Sequence, residues 1–281
     1  MTRMLLIAGH GYLGRELGHQ AEAAGWQVTA ISKSGDDDSI ACDLSSRSAV
    51  ADLRSRVPIP ESLTFTASSG RGGPEAYRAV FLVGTRHLLE VFSGTHLLFV
   101  SSTSVYGQTD GSLLTEKSPT EPGRETSRIL LEAESAVLAA NGTVVRLAGI
   151  YGPGRSVILR RFLAGRAVIE EDGRRFLNQI HRDDAASALL HLAGDPDTSR
   201  GEIFNVADSS PLHQGDCYHA LAQIFERPIP PTGPRPEDRK RAWSHKRVSN
   251  EKLRTTGWNP HYPSFIDAAE EVAASLTSRS G

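Results

Sequence analysis

Five apolar residues run directly into a glycine-rich segment near the start of the chain. The apolar run is Met4–Ala8, and the segment is Gly9-His10-Gly11-Tyr12-Leu13-Gly14. An uninterrupted apolar run of this length is typical of a strand buried on both faces of a parallel sheet. A pattern with helical spacing follows, formed by Leu13, Leu17, Ala21 and Ala24. The glycines therefore lie where a buried strand turns into a helix.

In that position the pattern G-x-G-x-x-G predicts a dinucleotide-binding site. Gly9 permits a tight turn, Gly11 lets the backbone approach a pyrophosphate, and Gly14 lets helix and strand pack closely. The free N–H groups and the dipole of the helix would stabilise the bound anion. The intervening residues are expected to border the cofactor as well: His10, Tyr12 and Leu13. The alternative is a glycine turn without a ligand.

Strand and helix patterns alternate along the rest of the chain. Strands are predicted at Val28–Ile31, Leu63–Ala67, His96–Ser101 and Thr143–Leu147, and helices at Glu75–Phe92, Thr126–Ala140, Asp183–Leu192 and Leu212–Phe225. This alternation predicts an α/β fold with a Rossmann-type, doubly wound parallel sheet. Turn-rich segments after Tyr151 predict a smaller C-terminal substrate lobe. The predicted dinucleotide-binding domain is residues 1–150 plus about 178–206, and the lobe is residues 151–177 and 207–281.

Composition limits the class of protein. The 281 residues carry a formal net charge of −2 and two cysteines, Cys42 and Cys217. Neither a nucleic-acid partner nor a disulfide framework follows from these numbers, and no residue cluster has metal-ligand spacing. No apolar run reaches the roughly 20 residues that span a bilayer, and Met1–Gly9 is too short for a signal peptide. We expect a cytoplasmic protein that acts on a small molecule without a membrane partner, with a homodimer left open.

The residues after the second predicted strand bear on the choice between NADP and NAD. An NAD site usually has an acidic residue about 20 residues beyond the glycines, where it bonds the ribose hydroxyls. Here the strand ends in Ser32, Lys33 and Ser34, with no carboxylate before Asp36. Two hydroxyls and a lysine suit the 2′-phosphate of NADP, which a carboxylate would repel. We therefore expect NADP; in the alternative, Lys33 is solvated and Asp36–Asp38 bind NAD.

Further motifs occur in a fixed order along the chain. They are Cys42–Leu44, Val83–Leu89, Val100–Gly107, Arg146–Gly154 and Ile180–Ala185. Together they resemble the extended short-chain dehydrogenase/reductase superfamily, in its NAD-dependent epimerase/dehydratase group, over nearly the whole chain. The resemblance implies that Asp43 and Leu44 contact the cofactor adenine and that Tyr151 lines the nicotinamide pocket. Ala67 and Ser68, at the end of a predicted strand, are expected to contact the cofactor too.

The same resemblance implies a role for Ser102, four residues before Tyr106 in the Val-Tyr-Gly motif. The family's serine at this place hydrogen-bonds the reacting oxygen, and a hydroxyl at the carboxyl end of a central strand can polarise a carbonyl. Alternatively, Ser102 only caps the strand. The family's Tyr-x-x-x-Lys pair is absent, because no tyrosine has a lysine four residues later. Arg124 and Arg128 fall on the two positions, as in an atypical branch of the extended reductases.

These arginines change the expected chemistry. The pKa of an arginine side chain is above about 12. Arg124 therefore cannot exchange a proton near neutral pH. Arg128 could still hold a ribose or a phosphate; the alternative is a surface arginine that pairs with Glu132 one turn later. Tyr106 is the first candidate for a substitute proton donor, followed by Glu125 or water.

We therefore expect an NADP(H)-dependent oxidoreductase that acts on a carbonyl or alcohol. One alternative is a non-catalytic NADP-binding sensor or partner-binding module. Another is a nucleotide-sugar epimerase or dehydratase with a substitute acid/base. A basic segment, Arg235–Arg247, is interpreted as a solvated face, with a lid that grips an acidic substrate as its alternative.

Overall fold

The computed structural model describes residues 3–70, 72–235 and 244–277. Its strands, in chain order, are β1 Met4–Ala8, β2 Gln27–Ser32, β3 Ile40–Ala41, β4 Ser62–Phe65, β5 His96–Ser102, β6 Leu113–Leu114, β7 Thr143–Leu147, β8 Gly149–Tyr151, β9 Ile169–Glu170, β10 Phe176–Leu177, β11 Gln179–His181, β12 Ile203–Val206, β13 Leu212–His213, β14 Thr232–Gly233 and β15 Arg247–Val248. Its α-helices are α1 Tyr12–Ala23, α2 Arg47–Arg56, α3 Pro74–Tyr77, α4 Gly84–Val91, α5 Glu125–Ala139, α6 Val157–Leu163, α7 Arg182–Gly194, α8 Pro196–Ser199, α9 Gln214–Ile224, α10 Glu251–Thr255 and α11 Ala269–Thr277. Most of the basic segment Arg235–Arg247, residues 236–243, lies outside the described residues.

Seven strands form one sheet in the order β12-β7-β5-β4-β1-β2-β3. β1 pairs in parallel with both β2 and β4, and the β2–β3, β4–β5 and β5–β7 pairs are parallel too. The strand order reverses between β1 and β4, and ligands bind outside the carboxyl ends of the strands at such a point. The predicted Rossmann-type parallel sheet is therefore confirmed.

The central strands are buried along nearly their whole length, which explains their uninterrupted apolar sequences. β1 and β7 have the predicted bounds, Met4–Ala8 and Thr143–Leu147. Phe65 of β4 and Phe99 of β5 lie 5.2 Å apart, measured between ring centroids. Phe81 packs against both rings, at 5.9 and 6.3 Å. These aromatic contacts pack the helical segment after β4 against the middle of the sheet.

The helix predicted over Glu75–Phe92 is divided into three parts. α3 is followed by a π-helix over Arg78–Val83, and α4 follows the π-helix directly. A Cβ added to Gly84, where α4 begins, would lie 2.9 Å from the Leu44 Cβ, so this helix passes close to the segment after β3. Apolar periodicity is nearly the same for both helix types. The change in hydrogen-bond register therefore has no signature in the sequence pattern.

The helix predicted over Leu212–Phe225 begins two residues later, at Gln214. Leu212 and His213 instead form β13, which pairs antiparallel with β10. The Gln214 N–H donates to the Arg175 carbonyl oxygen at 2.8 Å, so hydrogen bonds to a distant segment override the local helical pattern.

The chain divides into two compact units. The first holds the described residues within 1–105, 122–147 and 185–204, and the second those within 106–121, 148–184 and 205–281. Residues 106–121, 148–150, about 178–184 and 205–206, which the sequence analysis assigned to the dinucleotide-binding domain, lie in the second unit. That unit has an apolar core of its own, which includes Tyr151, Phe162, Tyr218 and Phe265.

Candidate functional site

The glycine loop joins β1 to α1 where the strand order reverses. Gly9 has a φ of +120°, and a Cβ there would lie 2.3 Å from the Ala67 backbone nitrogen. A Cβ at Gly14 would lie 2.0 Å from the Gly9 carbonyl oxygen. By contrast, no heavy atom of the described chain beyond its neighbours lies within 4 Å of a Cβ built on Gly11. Gly9 and Gly14 are therefore required by the packing of the chain itself, whereas Gly11 borders open space.

This geometry fits the pyrophosphate of a dinucleotide. Gly11 is the N-cap of α1, no side chain caps that helix, and its first turn has no acidic residue. The helix N-terminus therefore presents N–H groups and positive potential without a competing carboxylate in the first turn. The space that a Cβ on Gly11 would fill is where the backbone can approach a phosphate. The loop can thus hold the diphosphate of NAD(P).

The other predicted residues of the loop differ in exposure. Leu13 is buried in the core, and Tyr12 is half-buried. The His10 side chain is 10% exposed, and its Nδ1 lies 3.9 Å from Asp36 Oδ1. His10 therefore brings the glycine loop next to the segment that follows β2.

The segment after β4 lies against the same loop. Thr66 Oγ1 donates to the Gly9 carbonyl oxygen at 2.7 Å, and the backbone of Ala67 limits the space at Gly9. Ser68 is exposed, and its Oγ accepts a hydrogen bond from the Gly70 N–H at 3.2 Å. The structure thus brings the predicted residue Ala67 to the glycine loop.

Two of the three predicted phosphate-binding residues at the end of β2 already have partners. Ser32 Oγ accepts a hydrogen bond from the Gly35 N–H at 3.0 Å. Lys33 is 82% exposed, and its Nζ lies 3.2 Å from Asp43 Oδ2. Ser34 is exposed. These contacts place Lys33 and Asp43, two predicted cofactor residues, side by side.

The predicted adenine-binding segment follows β3. The Ser45 hydroxyl and N–H donate to Asp43 Oδ1 at 2.7 and 3.0 Å, and these hydrogen bonds hold the pKa of Asp43 below its usual value. Leu44 is buried, and its carbonyl oxygen lies 2.9 Å from His87 Nδ1. The segment is thus fixed by the chain, with an ionised carboxylate at its start.

A series of polar contacts among three serines links β5 to α5. Ser102, the last residue of β5, accepts a hydrogen bond at Oγ from the Ser104 N–H at 3.1 Å. The Ser104 and Ser127 hydroxyl oxygens lie 3.0 Å apart, and Arg128 follows Ser127 in the first turns of α5. The two predicted positions, Ser102 and Arg128, are therefore linked through Ser104, which the sequence reasoning missed.

Arg128 does not pair with Glu132. The Glu132 carboxylate instead accepts hydrogen bonds from Arg78 at 2.9 and 3.2 Å. Arg128 is exposed and forms no ion pair with any residue that the structure describes. Arg124 is the exposed N-cap residue of α5. The cation at the predicted lysine position is thus available to a ligand.

A buried ion pair anchors α5 to the sheet. Arg146 Nη2 of β7 donates to Glu134 Oε2 of α5 at 2.6 Å, and the side chains are 5% and 3% exposed. Ser101 of β5 also donates to Glu134. No local pattern could have indicated this contact, since it joins a helix to two strands across the core.

Tyr106 belongs to the second unit and is 2% exposed. Its hydroxyl lies 2.9 Å from Asn205 Oδ1 and 3.1 Å from the Thr115 carbonyl oxygen. The Lys246 ammonium donates to the Tyr106 carbonyl oxygen, and burial lowers the pKa of Lys246 to about 8. The sequence did not indicate Asn205. Lys246 belongs to the segment Arg235–Arg247, which we interpreted as a solvated face, and that interpretation is wrong for this residue, because Lys246 is buried.

Tyr151 is 1% exposed and also lies in the second unit. Its ring centroid is 5.3 Å from that of His181 and 4.7 Å from that of Phe265. Its hydroxyl has no hydrogen-bond partner within the described part of the chain. Burial, with a contribution from Asp208, raises the pKa of Tyr151, so the phenol stays protonated. The contact between Tyr151 and a nicotinamide stays a prediction.

Residues 5–207 match the model of the NAD dependent epimerase/dehydratase family. The chain belongs to this family. The resemblance inferred from the motifs is therefore confirmed, and with it an NAD(P)-binding fold.

The chain is also similar to individual proteins over most of its length. The chain is 30% identical to Protein YeeZ of Escherichia coli (strain K12) over 246 residues, which are 79% of this chain and 84% of that protein. It is 26% identical to 2′-dehydrokanamycin reductase of Streptomyces kanamyceticus over 203 residues, 66% of this chain and 55% of that one. A solved structure from Methylobacillus flagellatus, described as an NAD-dependent epimerase/dehydratase, has a TM-score of 0.79 and 27% identity, and the match covers 99% of this chain and 100% of the other.

None of the helices within the described ranges combines the length and apolar character needed to cross a membrane. Over the same ranges, no three His, Cys, Asp or Glu side chains are grouped so that they could hold a metal ion.

Proposed function

We propose that this family member catalyses hydride exchange between NAD(P)(H) and a small carbonyl or alcohol substrate. The observation that carries the proposal is the series of contacts from Ser102 through Ser104 to Ser127, next to Arg128. The series lies at the carboxyl end of the central strand β5, the edge at which sheets of this kind bind ligands. This position supports a role for the Ser102 hydroxyl at a carbonyl oxygen on which negative charge develops, and a role for the nearby Arg128 cation in holding the cofactor.

The chain's own residues would bind and polarise the substrate. Bound NAD(P)(H) supplies or accepts the hydride. Ser102 donates a hydrogen bond to the substrate oxygen, whose negative charge grows as the carbonyl is reduced. Because the Ser104 N–H donates to Ser102 Oγ, the hydroxyl oxygen is positioned while its hydrogen stays available. Arg128 contributes positive charge to a ribose or phosphate group.

Reduction of a carbonyl also requires a proton at the oxygen. We therefore assign the proton to neither Arg124 nor Arg128, since an arginine side chain is not a proton donor in proteins. We assign Tyr106 to the packing of the second unit, since its hydroxyl is engaged by Asn205 and the Thr115 carbonyl. We propose a water molecule hydrogen-bonded to Ser102 as the first candidate for the proton donor. Glu125, at the exposed start of α5, is the second candidate.

A second function is supported by Arg124. The exposed arginine stands where the family resemblance implies a tyrosine acid/base. A chain that kept the dinucleotide site but lost this group would act as an NAD(P)-binding sensor or partner-binding module. Catalytic turnover distinguishes the two functions, and the reductase among the relatives supports the first of them.

The test combines cofactor binding with a panel of aldehydes and ketones. We expect the protein to oxidise NADH or NADPH with at least one member, and Ser102→Ala to lower kcat/KM about 100-fold, because a donor to the developing oxyanion is lost. Cofactor affinity should change little. Ser135→Ala is the control, since that hydroxyl donates to the Leu131 carbonyl on the exposed side of α5.

Each outcome separates the alternatives. Full activity in Ser102→Ala would contradict the role of this hydroxyl. Cofactor binding without turnover on any member of the panel would favour the sensor. If neither NADH nor NADPH bound, both functions would be wrong, because each requires the dinucleotide site.

A further inference from the structure

We infer that an arginine-rich surface of the second unit binds an acidic segment of a partner protein. This arginine surface consists of the exposed side chains of α6 and of two adjoining segments, residues 164–168 and 227–231. The inference goes beyond the proposed function, because it requires neither the dinucleotide site nor turnover.

The exposed face of α6 forms the first part of the arginine surface. Arg160 and Arg161 follow Val157 by three and four residues, so the three side chains share one face of the helix. All three are exposed, Val157 to 70%. Arg160 Nη2 donates to the Gly154 carbonyl oxygen at 2.9 Å, which holds its guanidinium near the start of the helix. An apolar side chain and two cations are therefore presented together on this face.

Two further segments continue the surface beyond the end of α6. Arg227 Nη1 donates at 2.6 Å to the carbonyl oxygen of Leu163, the last residue of α6. The Ile169 N–H donates to the Pro231 carbonyl oxygen at 3.0 Å, where the parallel pairing of β9 and β14 begins. The segment before β14 therefore lies alongside the segment before β9. The exposed side chains of these two segments include Arg166, Val168 and Ile229.

The chain does not neutralise the cations of this surface. Arg160, Arg161, Arg166 and Arg227 form no ion pair with any residue in the described ranges. Other exposed arginines do form such pairs, for example Arg47 with Glu90. Residues 157–168 and 227–235 contain no Asp or Glu, although Glu226 directly precedes Arg227. Four positive charges are thus available to the carboxylates of a partner.

Exposed apolar residues are concentrated on the same surface. Five large apolar side chains are exposed in the part of the chain that the structure describes, and three of them lie here: Val157, Val168 and Ile229. Interfaces between proteins combine apolar contact with a polar rim. The arginine surface has both components.

The type of cation favours a protein over other anionic partners. A membrane surface attracts lysine and arginine about equally, whereas protein interfaces are enriched in arginine and depleted in lysine. All four cations of this surface are arginines, whose planar guanidinium groups bind carboxylates in a bidentate manner. The expected partner is therefore a segment in which Asp or Glu residues flank apolar side chains.

Selection from a displayed library of random short peptides tests the inference. We expect the protein to enrich peptides in which Asp or Glu flank Leu, Ile or Val. In a fluorescence-anisotropy titration, Arg161→Glu/Arg166→Glu should weaken binding of an enriched peptide at least about tenfold. Neither side chain forms a hydrogen bond within the described ranges, so the fold should be retained. Val157→Ser should weaken binding about threefold, because apolar contact is lost.

Arg54→Glu/Arg56→Glu is the matched control. Both arginines are exposed in the last turn of α2, and the change in net charge is the same. We expect this variant to bind the enriched peptide within about twofold of the unmodified protein, because salt screens distant surface charges. Circular dichroism would verify that all variants are folded.

The other outcomes would overturn the inference. Enriched peptides without an excess of carboxylates would contradict it, and so would a selection that enriches no peptide. Equal losses in the two double variants would mean that net charge, rather than this surface, determines binding. Binding to phosphatidylserine vesicles or single-stranded RNA that is lost in Arg161→Glu/Arg166→Glu, without enrichment of acidic peptides, would assign the surface to a membrane or a nucleic acid instead.

Discussion

At the scale of single residues, the glycine loop separates ligand binding from folding. Gly11 has a φ of −98° and open space at its Cβ position, so Gly11→Ala should lower the Tm only slightly, through the replacement of glycine by the poorer N-cap residue alanine. The added methyl group would occupy the approach to the pyrophosphate, and we expect the Kd for NADH to rise at least about tenfold. Thermal unfolding without cofactor and a fluorescence titration measure the two effects.

The matched variant is Gly14→Ala, three residues further along the loop. Its Cβ would lie 2.0 Å from the Gly9 carbonyl oxygen, so the backbone must shift and the Tm should fall. Unchanged NADH affinity in Gly11→Ala would contradict the position of the pyrophosphate at this loop.

The sequence predicts the role of a residue when neighbouring residues determine that role, and fails when a distant contact does. The tight turn at Gly9 and the close packing at Gly14 follow from one strand-to-helix turn, and the structure has both. The approach of a pyrophosphate to Gly11 stays a prediction. Ser102 could be located by its motif, but its link to Arg128 passes through a contact between hydroxyls 23 positions apart in the chain. The contact between His10 and Asp36 depends on how the loop after β2 folds back, and residue spacing carries no information on that.

At the scale of elements, α5 depends on the buried pair of Glu134 and Arg146. Glu134→Ala should lower the free energy of unfolding by about 3–5 kcal/mol, because it removes the carboxylate partner of a buried guanidinium. Removing both charges in Glu134→Leu/Arg146→Met should recover much of this loss. Urea unfolding of the two variants measures both values. Glu132→Ala, on the exposed side of the same helix, is the control and should have a small effect, because water and salt screen its pair with Arg78.

If the double variant did not recover the free energy of unfolding, the shape of the Glu134 site, rather than its charge, would hold α5 in place.

The same helix illustrates what can be predicted for a single element. α5 begins and ends within one residue of the predicted bounds, Thr126–Ala140, because apolar spacing and Asn141-Gly142 are local signals. The π-helix and β13 could not be predicted, since hydrogen bonds outside the pattern decide them.

At the scale of the whole molecule, alternation of strands and helices predicted the parallel sheet, and the family match agrees with it. The limits of the compact units were harder to foresee. Residues 106–121 belong to the second unit, between parts of the first unit that end at Val105 and resume at Pro122, whereas the sequence analysis assigned them to the dinucleotide-binding domain.

The stability of the whole molecule should depend on pH through His96 in the core. Thr143 Oγ1 donates to the Ser199 carbonyl oxygen at 2.6 Å, so His96 Nε2, 2.8 Å from Thr143 Oγ1, must be the donor between them. His96 Nδ1 is buried without a hydrogen-bond partner in the described ranges. A proton there would place an unsatisfied charge in the core, and burial, aided by Arg200, lowers the pKa of His96 to about 4.

The sign of the effect follows from the two pKa values. An unfolded histidine has a pKa of about 6.5, so below that value the unfolded chain takes up a proton that folded His96 refuses. The stabilisation is complete above pH 6.5 and is lost as the pH falls towards 4, with a loss of about 2 kcal/mol expected between pH 7 and pH 5. Urea unfolding at the two pH values measures the free energy of unfolding. Its decline from pH 7 to pH 5 should be about 2 kcal/mol smaller in His96→Gln than in the unmodified protein. The glutamine amide can still donate to Thr143. His19→Gln, at an exposed position of α1, should decline like the unmodified protein; if His96→Gln did the same, the acid sensitivity would have to arise from other groups in the core.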